Sequence, residues 1–374
     1  MTDAPLEVGP QRPQKWSMVE LSDVAAIDRN SVAPDEMSGH ELYVGLENIT
    51  SGGEFESVAT AGEAGLKSNK FMFNGDHILY GKLRPYLAKI AAPEFEGICS
   101  TDILPIKPGG SLDRRYLLHY LRTPEMVDHA ANNAVGINLP RLSPKTLESF
   151  EIPLPPVEEQ RWIAEVLDAA EVLRSQRRQA LAKLDSLTQA IFIEMFGDPV
   201  RNPKRLDKTH LGDLIKLKSG QNLPAKDMQP GPHLVYGGNG VSGTHDQYMF
   251  DERQIVIGRV GVYCGCVHIS EPQSWITDNA LYVRWMSSRL RPRFLVGALE
   301  LANLNQYASQ AAQPLISGSR VYPVEILVPD MTDQIAFEER VRAEEALREL
   351  LDRDSMSLDA LFASLQQRAF RGEL

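Results

Sequence analysis

An internal repeat constrains this 374-residue chain more than any other feature. Ile78-Leu79-Tyr80-Gly81-Lys82 returns as Ile255-Val256-Ile257-Gly258-Arg259, 177 residues on. Thr101-Asp102 returns as Thr277-Asp278 at an offset of 176. Glu151-Ile152-Pro153-Leu154-Pro155 with Gln160 returns as Glu325-Ile326-Leu327-Val328-Pro329 with Gln334 at 174, and Phe196 returns as Phe370 at the same offset. Between these landmarks the copies barely match. The period is far longer than that of stacking repeats, and each copy is large enough to be a domain. A frame kept twice with divergent contents suits a protein that reads two different things with one geometry.

Each copy ends in a helical pattern. Residues 157–197 predict one long helix, entered through Pro155-Pro156 with acid at Glu158 and Glu159, where the helix dipole favours it. Ile163, Val166, Ala170, Leu173, Arg177, Ala180, Leu184, Leu187 and Ile191 fall at steps of three and four, an a/d seam with Arg177 as a polar interruption. Gly197 and Pro199 stop it. Residues 332–370 repeat the pattern through Phe337, Leu347, Leu351, Leu358, Leu361 and Leu365, interrupted by Arg340, Glu344 and Asp354. Two long helices with matching seams are expected to pair antiparallel.

Residues 16–150 and 208–325 are short runs of Val, Ile, Tyr and Phe punctuated by Gly, Asn, Asp and Pro, which reads as mostly β. Short helices are expected at Arg114–Leu121 and Pro292–Leu304. The expected class is α+β: two mostly-β domains in a pseudo-twofold arrangement, separated by two long helices paired as an antiparallel coiled coil. The divisions are a flexible tail over 1–15, a first domain over 16–155, a central helix over 156–198, a second domain over 199–330 and a C-terminal helix over 331–374.

No apolar run approaches the 18 residues of a membrane span. Three cysteines suggest a reducing cytoplasm rather than a disulfide framework. Net charge is −11 but uneven: −7 over residues 1–156, −3 over 157–198, +5 over 201–324 and −6 over 325–374. Local positive surface governs phosphate binding more than the total does.

Catalytic signals are sparse. There is no GxxxxGK[ST] loop, and neither Asn-Pro-Pro-Tyr nor Asp-Pro-Pro-Tyr, the segment with which an amino-methyltransferase holds a flipped base. Gly238-Asn239-Gly240-Val241-Ser242-Gly243 spells GxGxxG, but no amphipathic helix follows. Its Asn239, Ser242 and nearby His245 are better candidates for approach to a polymer backbone or base edge. Cys264, Cys266 and His268 alternate, yet no fourth zinc ligand is evident, and a half-buried strand face is the simpler reading. No catalytic residue and no metal site is assigned. Basic residues beside aromatic ones stand out more: Lys82, Arg84 and Tyr86 in the first copy, Arg259 in the second, with Arg141 as a further contact. Arg and Lys there suit phosphate or guanine. Asp102 and Asp278 are expected to accept backbone N–H bonds in turns. Arg291 and Arg293, in the densest basic cluster, are either a phosphate clamp or solvated surface.

Taken together, the chain resembles the specificity subunit of type I restriction–modification systems, from Trp16 to Leu374. The carriers are Ile152-Pro153-Leu154-Pro155-Pro156-Val157-Glu158-Glu159-Gln160, Phe370-Arg371-Gly372-Glu373-Leu374, Ile78 to Tyr86, and Trp275-Ile276-Thr277-Asp278-Asn279-Ala280. The second copy departs at Val328-Pro329-Asp330-Met331-Thr332-Asp333-Gln334, which lacks the double Pro and double Glu. The resemblance implies two target-recognition domains, each reading half of a split site on double-stranded DNA. It implies helices that set the spacer and dock two modification (methyltransferase) subunits, with restriction translocase subunits joining them. S-adenosylmethionine would sit on the methyltransferase partners and no cofactor on this chain. The alternatives are the specificity subunit of a related system whose partner is one fused cutting-and-methylating chain, a stand-alone DNA methyltransferase or nuclease, and a coiled-coil scaffold.

Overall fold

A computed structural model describes residues 16–310 and 313–374. The expected flexible tail over residues 1–15 lies outside the described residues. The chain forms two compact units, Met1–Gln176 with Ser355–Leu374, and Arg177–Asp354. The class is α+β, and the divide runs through both long helices.

Among the described residues the first unit has three sheets. Ser17–Glu20 pairs antiparallel with Glu151–Leu154. A four-stranded sheet has the order Ala25–Ile27, Ile103–Pro108, Ile78–Gly81, Ile90–Ala91. A five-stranded sheet contains one parallel pair, Leu42–Val44 beside Gly97–Cys99. The second unit follows the same plan. Lys208–His210 pairs with Glu325–Leu327. A four-stranded sheet has the order Ile215–Ser219, Ala280–Met286, Ile255–Gly258, Val267–Ile269. In a three-stranded sheet His233–Gly237 runs parallel to Trp275–Ile276. The recurring apolar landmarks are therefore the same strands: Ile78 and Leu79, like Val256 and Ile257, are fully buried. Helices Arg114–Leu121 and Pro292–Leu301 cover the four-stranded sheets, the second ending three residues earlier than expected before a 3-10 turn at Leu304–Tyr307.

The recurring glutamines have a common physical role. Gln160 is fully buried; its Oε1 accepts from the Asp113 N–H at 2.8 Å, and its Nε2 donates to the Ser111 and Pro155 carbonyls at 3.0 and 2.8 Å. Gln334, equally buried, accepts from the Arg291 N–H at 2.8 Å and donates to the Arg289 and Pro329 carbonyls at 2.9 Å. Each glutamine ties the first turn of a long helix to the loop that starts the short covering helix. This consumes backbone groups that would otherwise be orphaned beside a helix start.

The central helix is not continuous. It runs Val157–Leu184 and resumes as Leu187–Phe196. Asp185 and Ser186 compete with the backbone for hydrogen bonds, and the Ser186 hydroxyl donates to the Lys183 carbonyl at 3.3 Å. Met331–Phe370 is one helix of 40 residues.

Within each unit the two helices run antiparallel. In the first, Arg174 Nε meets Asp359 at 2.7 Å and its guanidinium lies 4.4 Å from the Phe362 ring centroid. Ile163, Ala164 and Leu167 share a cluster with Leu365, Ala369 and Phe370. In the second, Arg177 pairs with Asp354 at 3.3 Å, Asp185 with Arg348, Thr188 with Glu344 at 2.6 Å and Glu194 with Arg340 at 3.1 Å. The expected seam is only partly followed. Ile163, Leu184, Ile191, Phe337 and Leu351 are buried; Val166, Ala170, Leu187, Leu358 and Leu365 are half-buried. Leu173, Leu347 and Leu361 are 52, 44 and 51 % exposed and do not form it. A straight helix drifts by roughly 20° per heptad, so a strict a/d count leaves the contact face. Arg177, Arg340, Glu344 and Asp354, read as interruptions, are cross-helix partners.

The terminal phenylalanines close both units. Phe196 packs on Phe294 and Phe337 with ring centroids 5.2 and 5.7 Å apart, and Phe370 packs on Tyr116 and Tyr120 at 5.3 and 5.1 Å. The helix end of each sequence copy thus completes the core of the unit built mainly from the other copy.

Candidate nucleic-acid interface

The basic segments after the strands Ile78–Gly81 and Ile255–Gly258 occupy equivalent positions in an equivalent ladder. In the first unit the Lys82 N–H donates to the Asp102 carbonyl at 2.9 Å, the Leu142 N–H donates to the Lys82 carbonyl at 2.9 Å, and the Arg84 N–H donates to the Pro140 carbonyl at 2.7 Å. In the second, the Arg259 N–H donates to the Asn279 carbonyl at 2.9 Å, the Ile316 N–H donates to the Arg259 carbonyl at 2.8 Å, and the Gly261 N–H donates to the Pro314 carbonyl at 3.0 Å. Leu83 bridges Arg141 and Val260 bridges Leu315. Pro140-Arg141-Leu142-Ser143 and Pro314-Leu315-Ile316-Ser317 are thus another pair of landmarks at offset 174, one that direct sequence comparison passes over because only Pro and Ser are identical.

The glycine that opens each segment admits no side chain. A Cβ on Gly81 would lie 2.8 Å from Leu46 Cδ2 and 2.9 Å from the Lys89 carbonyl oxygen, and one on Gly258 would collide with the Gly238 carbonyl. This close approach delivers the next residue, Lys82 or Arg259, to the sheet edge.

What the segments present differs. Lys82 is half-buried and Arg84 exposed, and neither side chain has a hydrogen-bond or ion-pair partner among the described residues. Arg84 sits in the left-handed region at φ 53°, a conformation a side-chain-bearing residue adopts only when its surroundings impose it. Here the bond to Pro140 holds it, against the extended backbone that the following Pro85 favours. Tyr86 is 53 % exposed. In the second unit Arg259 is half-buried and donates to the Ser219 hydroxyl and the Asp278 carbonyl, both at 3.2 Å. Tyr263, in the place of Tyr86, is 62 % exposed. Each unit therefore offers a basic residue and an exposed tyrosine from one frame.

Other candidates are placed differently. Arg141 is anchored by Asp102, Nε to Oδ1 3.1 Å, while its side chain keeps 46 % exposure. The Asp102 carboxylate thus accepts from a guanidinium rather than from backbone N–H groups. Asn239 is exposed in the turn between His233–Gly237 and Gly240–His245; the Gly-rich segment is a β-hairpin, not a strand–turn–helix phosphate loop. Ser242 is exposed and donates to the Val235 carbonyl at 3.2 Å. His245 does not face outward: it is buried, its Nδ1 accepts the Gln229 N–H at 3.0 Å, and its ring stands edge-on to Trp275 at 5.5 Å. In the strand Gly240–His245 it lies three residues from the exposed Ser242, an odd spacing that strand alternation places on the opposite face.

Arg291 and Arg293 are taken up by the C-terminal helix. Arg291 pairs with Glu338 at 2.6 Å and Arg293 with Glu345 at 2.5 Å. Glu338 is itself buried. These arginines fasten the covering helix Pro292–Leu301 to its neighbour, and nothing in the sequence around residue 291 reveals carboxylates 47 and 52 positions away. Cys264 and Cys266 lie in a turn before the strand Val267–Ile269, not alternating along it; Cys264 is buried beside Asn305, and the Cys266 thiol donates to the Gly238 carbonyl at 3.2 Å. Burial pushes the Cys99 thiol up to about 12. Among the described residues no helix is long and apolar enough to cross a membrane.

Sequence reasoning missed one exposed feature of the first unit. Val135, Ile137 and Leu139 are 80, 100 and 46 % exposed, on a loop beside Arg84.

Comparison with known proteins bears on this geometry. Residues 13–183 match the family model described as Type I restriction modification DNA specificity domain. The chain is similar to the type I restriction enzyme EcoDI specificity subunit of Escherichia coli, 30 % identical over 221 residues, covering 58 % of this chain and 48 % of that subunit. It is 23 % identical over 237 residues to the MjaVIII specificity subunit of Methanocaldococcus jannaschii, covering 60 % and 52 %. It thus spans about half the length of these curated relatives. Among solved structures, the S subunit of a type I restriction–modification system from M. genitalium has a similar fold, with a TM-score of 0.66 at 15 % identity over 97 % of this chain and 98 % of that one. A chain described in the complex assembly and conformational transition of the type I R-M system gives a TM-score of 0.62 at 20 % identity, covering 98 % and 100 %. Residues 13–183 thus match a type I restriction modification DNA specificity domain, and the chain as a whole shares its fold with a solved S subunit.

Proposed function

We propose that the chain is the non-catalytic DNA sequence-recognition subunit of a type I restriction–modification complex. Each unit reads one half of a bipartite, asymmetric site on double-stranded DNA. The long helices set the spacer and dock two methyltransferase subunits. Those subunits hold S-adenosylmethionine, this chain binds no cofactor, and restriction translocase subunits join the assembly in the cytoplasm.

The observation that carries this reading is the shared ladder with divergent contents. The same backbone frame presents Lys82, Arg84 and Tyr86 in one unit and Arg259 and Tyr263 in the other. Side chains of this kind supply phosphate contacts and base-edge readout, and different contents on one frame yield different half-sites. The net charge of +5 over residues 201–324 favours a polyanion, while the −7 over residues 1–156 leaves part of the phosphate grip to the partners.

The test is single-molecule methylome sequencing of cells with and without the gene, alongside a methylation assay of the purified chain with S-adenosylmethionine. A split methylated motif that disappears with the gene, and no methylation by the chain alone, is the expected result. Methylation or tight cofactor binding by the isolated chain would overturn it.

A further inference from the structure

The exposed apolar loop of the first unit is not explained by the frame it hangs from. The Val135 and Arg141 backbones exchange two hydrogen bonds of 2.9 Å, closing a short loop on a stiff stalk. Arg141 also bridges Leu83 and is anchored to Asp102, and Pro140 receives the Arg84 N–H, so the stalk is fixed to the basic segment. Gly136 turns the chain at φ 120°, where a side chain would be strained. At the tip Ile137 is 100 % exposed, flanked in the loop by Val135 at 80 % and Leu139 at 46 %. Solitary exposed aliphatics are ordinary, but several on one rigid tip mark a contact surface.

Charge identifies what the tip meets. Lys82 and Arg84, joined to the stalk by backbone bonds, have no carboxylate partner among the described residues. A rigid aliphatic tip rimmed by unpaired cations fits a polyanion with an apolar interior, which is what stacked base pairs inside a phosphate backbone provide. We propose that Ile137 enters the duplex as a wedge and parts one base step in or beside the half-site read by the first unit. Parting a step costs stacking; burial of the aliphatic tip and the phosphate contacts of the flanking cations offset it. The second copy has Ala-Ala-Gln at residues 311–313, the positions that match Ile137-Asn138-Leu139 at offset 174, so the sequence keeps the bulky tip in one copy only. The wedge is thus a feature of one half-site.

This inference rests on the functional reading above, and the experiment separates the two. The full chain is assembled with its methyltransferase subunits, and its recognised sequence is taken from the methylome. Duplexes then carry 2-aminopurine at each position of that half-site and its flanks, and fluorescence is read on binding. Wild type should give a rise at one step that Ile137→Ala abolishes and Ile137→Leu retains. A rise at the methylated base, caused by its extrusion, should persist in all three. Ile137→Ala should weaken specific binding about tenfold to a hundredfold, the range for losing burial of one large aliphatic side chain.

The wedge is overturned if wild type binds its sequence with no unstacked step outside the methylated base. It is also overturned if the step stays unstacked in Ile137→Ala, if deoxyuridine in place of thymine reproduces the loss of binding, or if Ile137→Ala releases the methyltransferase subunits instead. Intact sequence-specific binding in those cases leaves the functional reading standing. No sequence-specific binding by wild type would overturn both.

Discussion

Replacing Gln160 by Ala removes three hydrogen bonds from a side chain with no exposure to solvent. The Ser111 carbonyl lies at an exposed residue and rehydrates, whereas the Pro155 carbonyl is buried and the Asp113 N–H half-buried. The buried Pro155 carbonyl at about 1–3 kcal/mol and the half-buried Asp113 N–H at about 1 kcal/mol give a loss of about 2–4 kcal/mol. Hydrogen exchange resolved by peptide reads this directly. A loss of that size speeds exchange roughly 30- to 700-fold in Glu151–Leu154 and Arg114–Leu121, and leaves Glu325–Leu327 and Pro292–Leu301 unchanged. Gln334→Ala makes the reverse pattern at a similar size, because its three bonds are the same. Gln160→Glu keeps the acceptor for Asp113 but sets a carboxylate against the Pro155 carbonyl, so it costs at least as much. Less than threefold acceleration, or acceleration shared equally by both units, would refute the view that each glutamine locks its own helix start.

Three other outcomes follow from the geometry. Alanine at Lys82, Arg84 or Arg259 weakens binding to all sequences and flattens the slope of log affinity against log salt by about one for each phosphate no longer neutralised; a residue that reads guanine instead relaxes one base pair, as a binding-site selection would record. Arg291→Ala leaves that salt slope unchanged and lowers stability by about 1–3 kcal/mol in urea unfolding, because the buried Glu338 keeps only the Arg293 N–H as a partner among the described residues. Burial acts to raise the Asp168 carboxyl, but bonds and charge from His119 and Arg115 outweigh it and hold it below its ordinary 3.8. A depressed carboxyl stabilises the fold above its unfolded value and loses that contribution as pH falls through the folded one. Wild type should therefore lose stability below about pH 4 more steeply than Asp168→Asn, as thermal melts across pH would show.

The frame was legible in the sequence because its landmarks are buried or locked in both copies. Gly81 and Gly258 exclude any Cβ, Gln160 and Gln334 saturate equivalent backbone groups, and Phe196 and Phe370 seal aromatic clusters. Such positions tolerate little change, so they recur. The helix register was less legible: Leu173, Leu347 and Leu361 satisfy a heptad count yet point away from the pair, while Arg177 meets Asp354. Spacing along one helix says nothing about what its partner brings. The same limit misassigned Arg291 and Arg293, whose carboxylates lie on a distant helix, while His245 turns inward because it sits on the strand face opposite Ser242. The segment Gly136–Arg141 was legible as a loop carrying Arg141, but the exposure of Val135, Ile137 and Leu139 depends on how the fold seats that loop.

The central claim is that one frame reads two independent half-sites. The direct measurement exchanges residues 208–324 for the equivalent region of a relative with a known motif and sequences the methylome of cells carrying the chimaera with its partners. One half of the methylated motif should change to the donor's, and the other half should stay as it was. A change in both halves would contradict independent reading by the two copies.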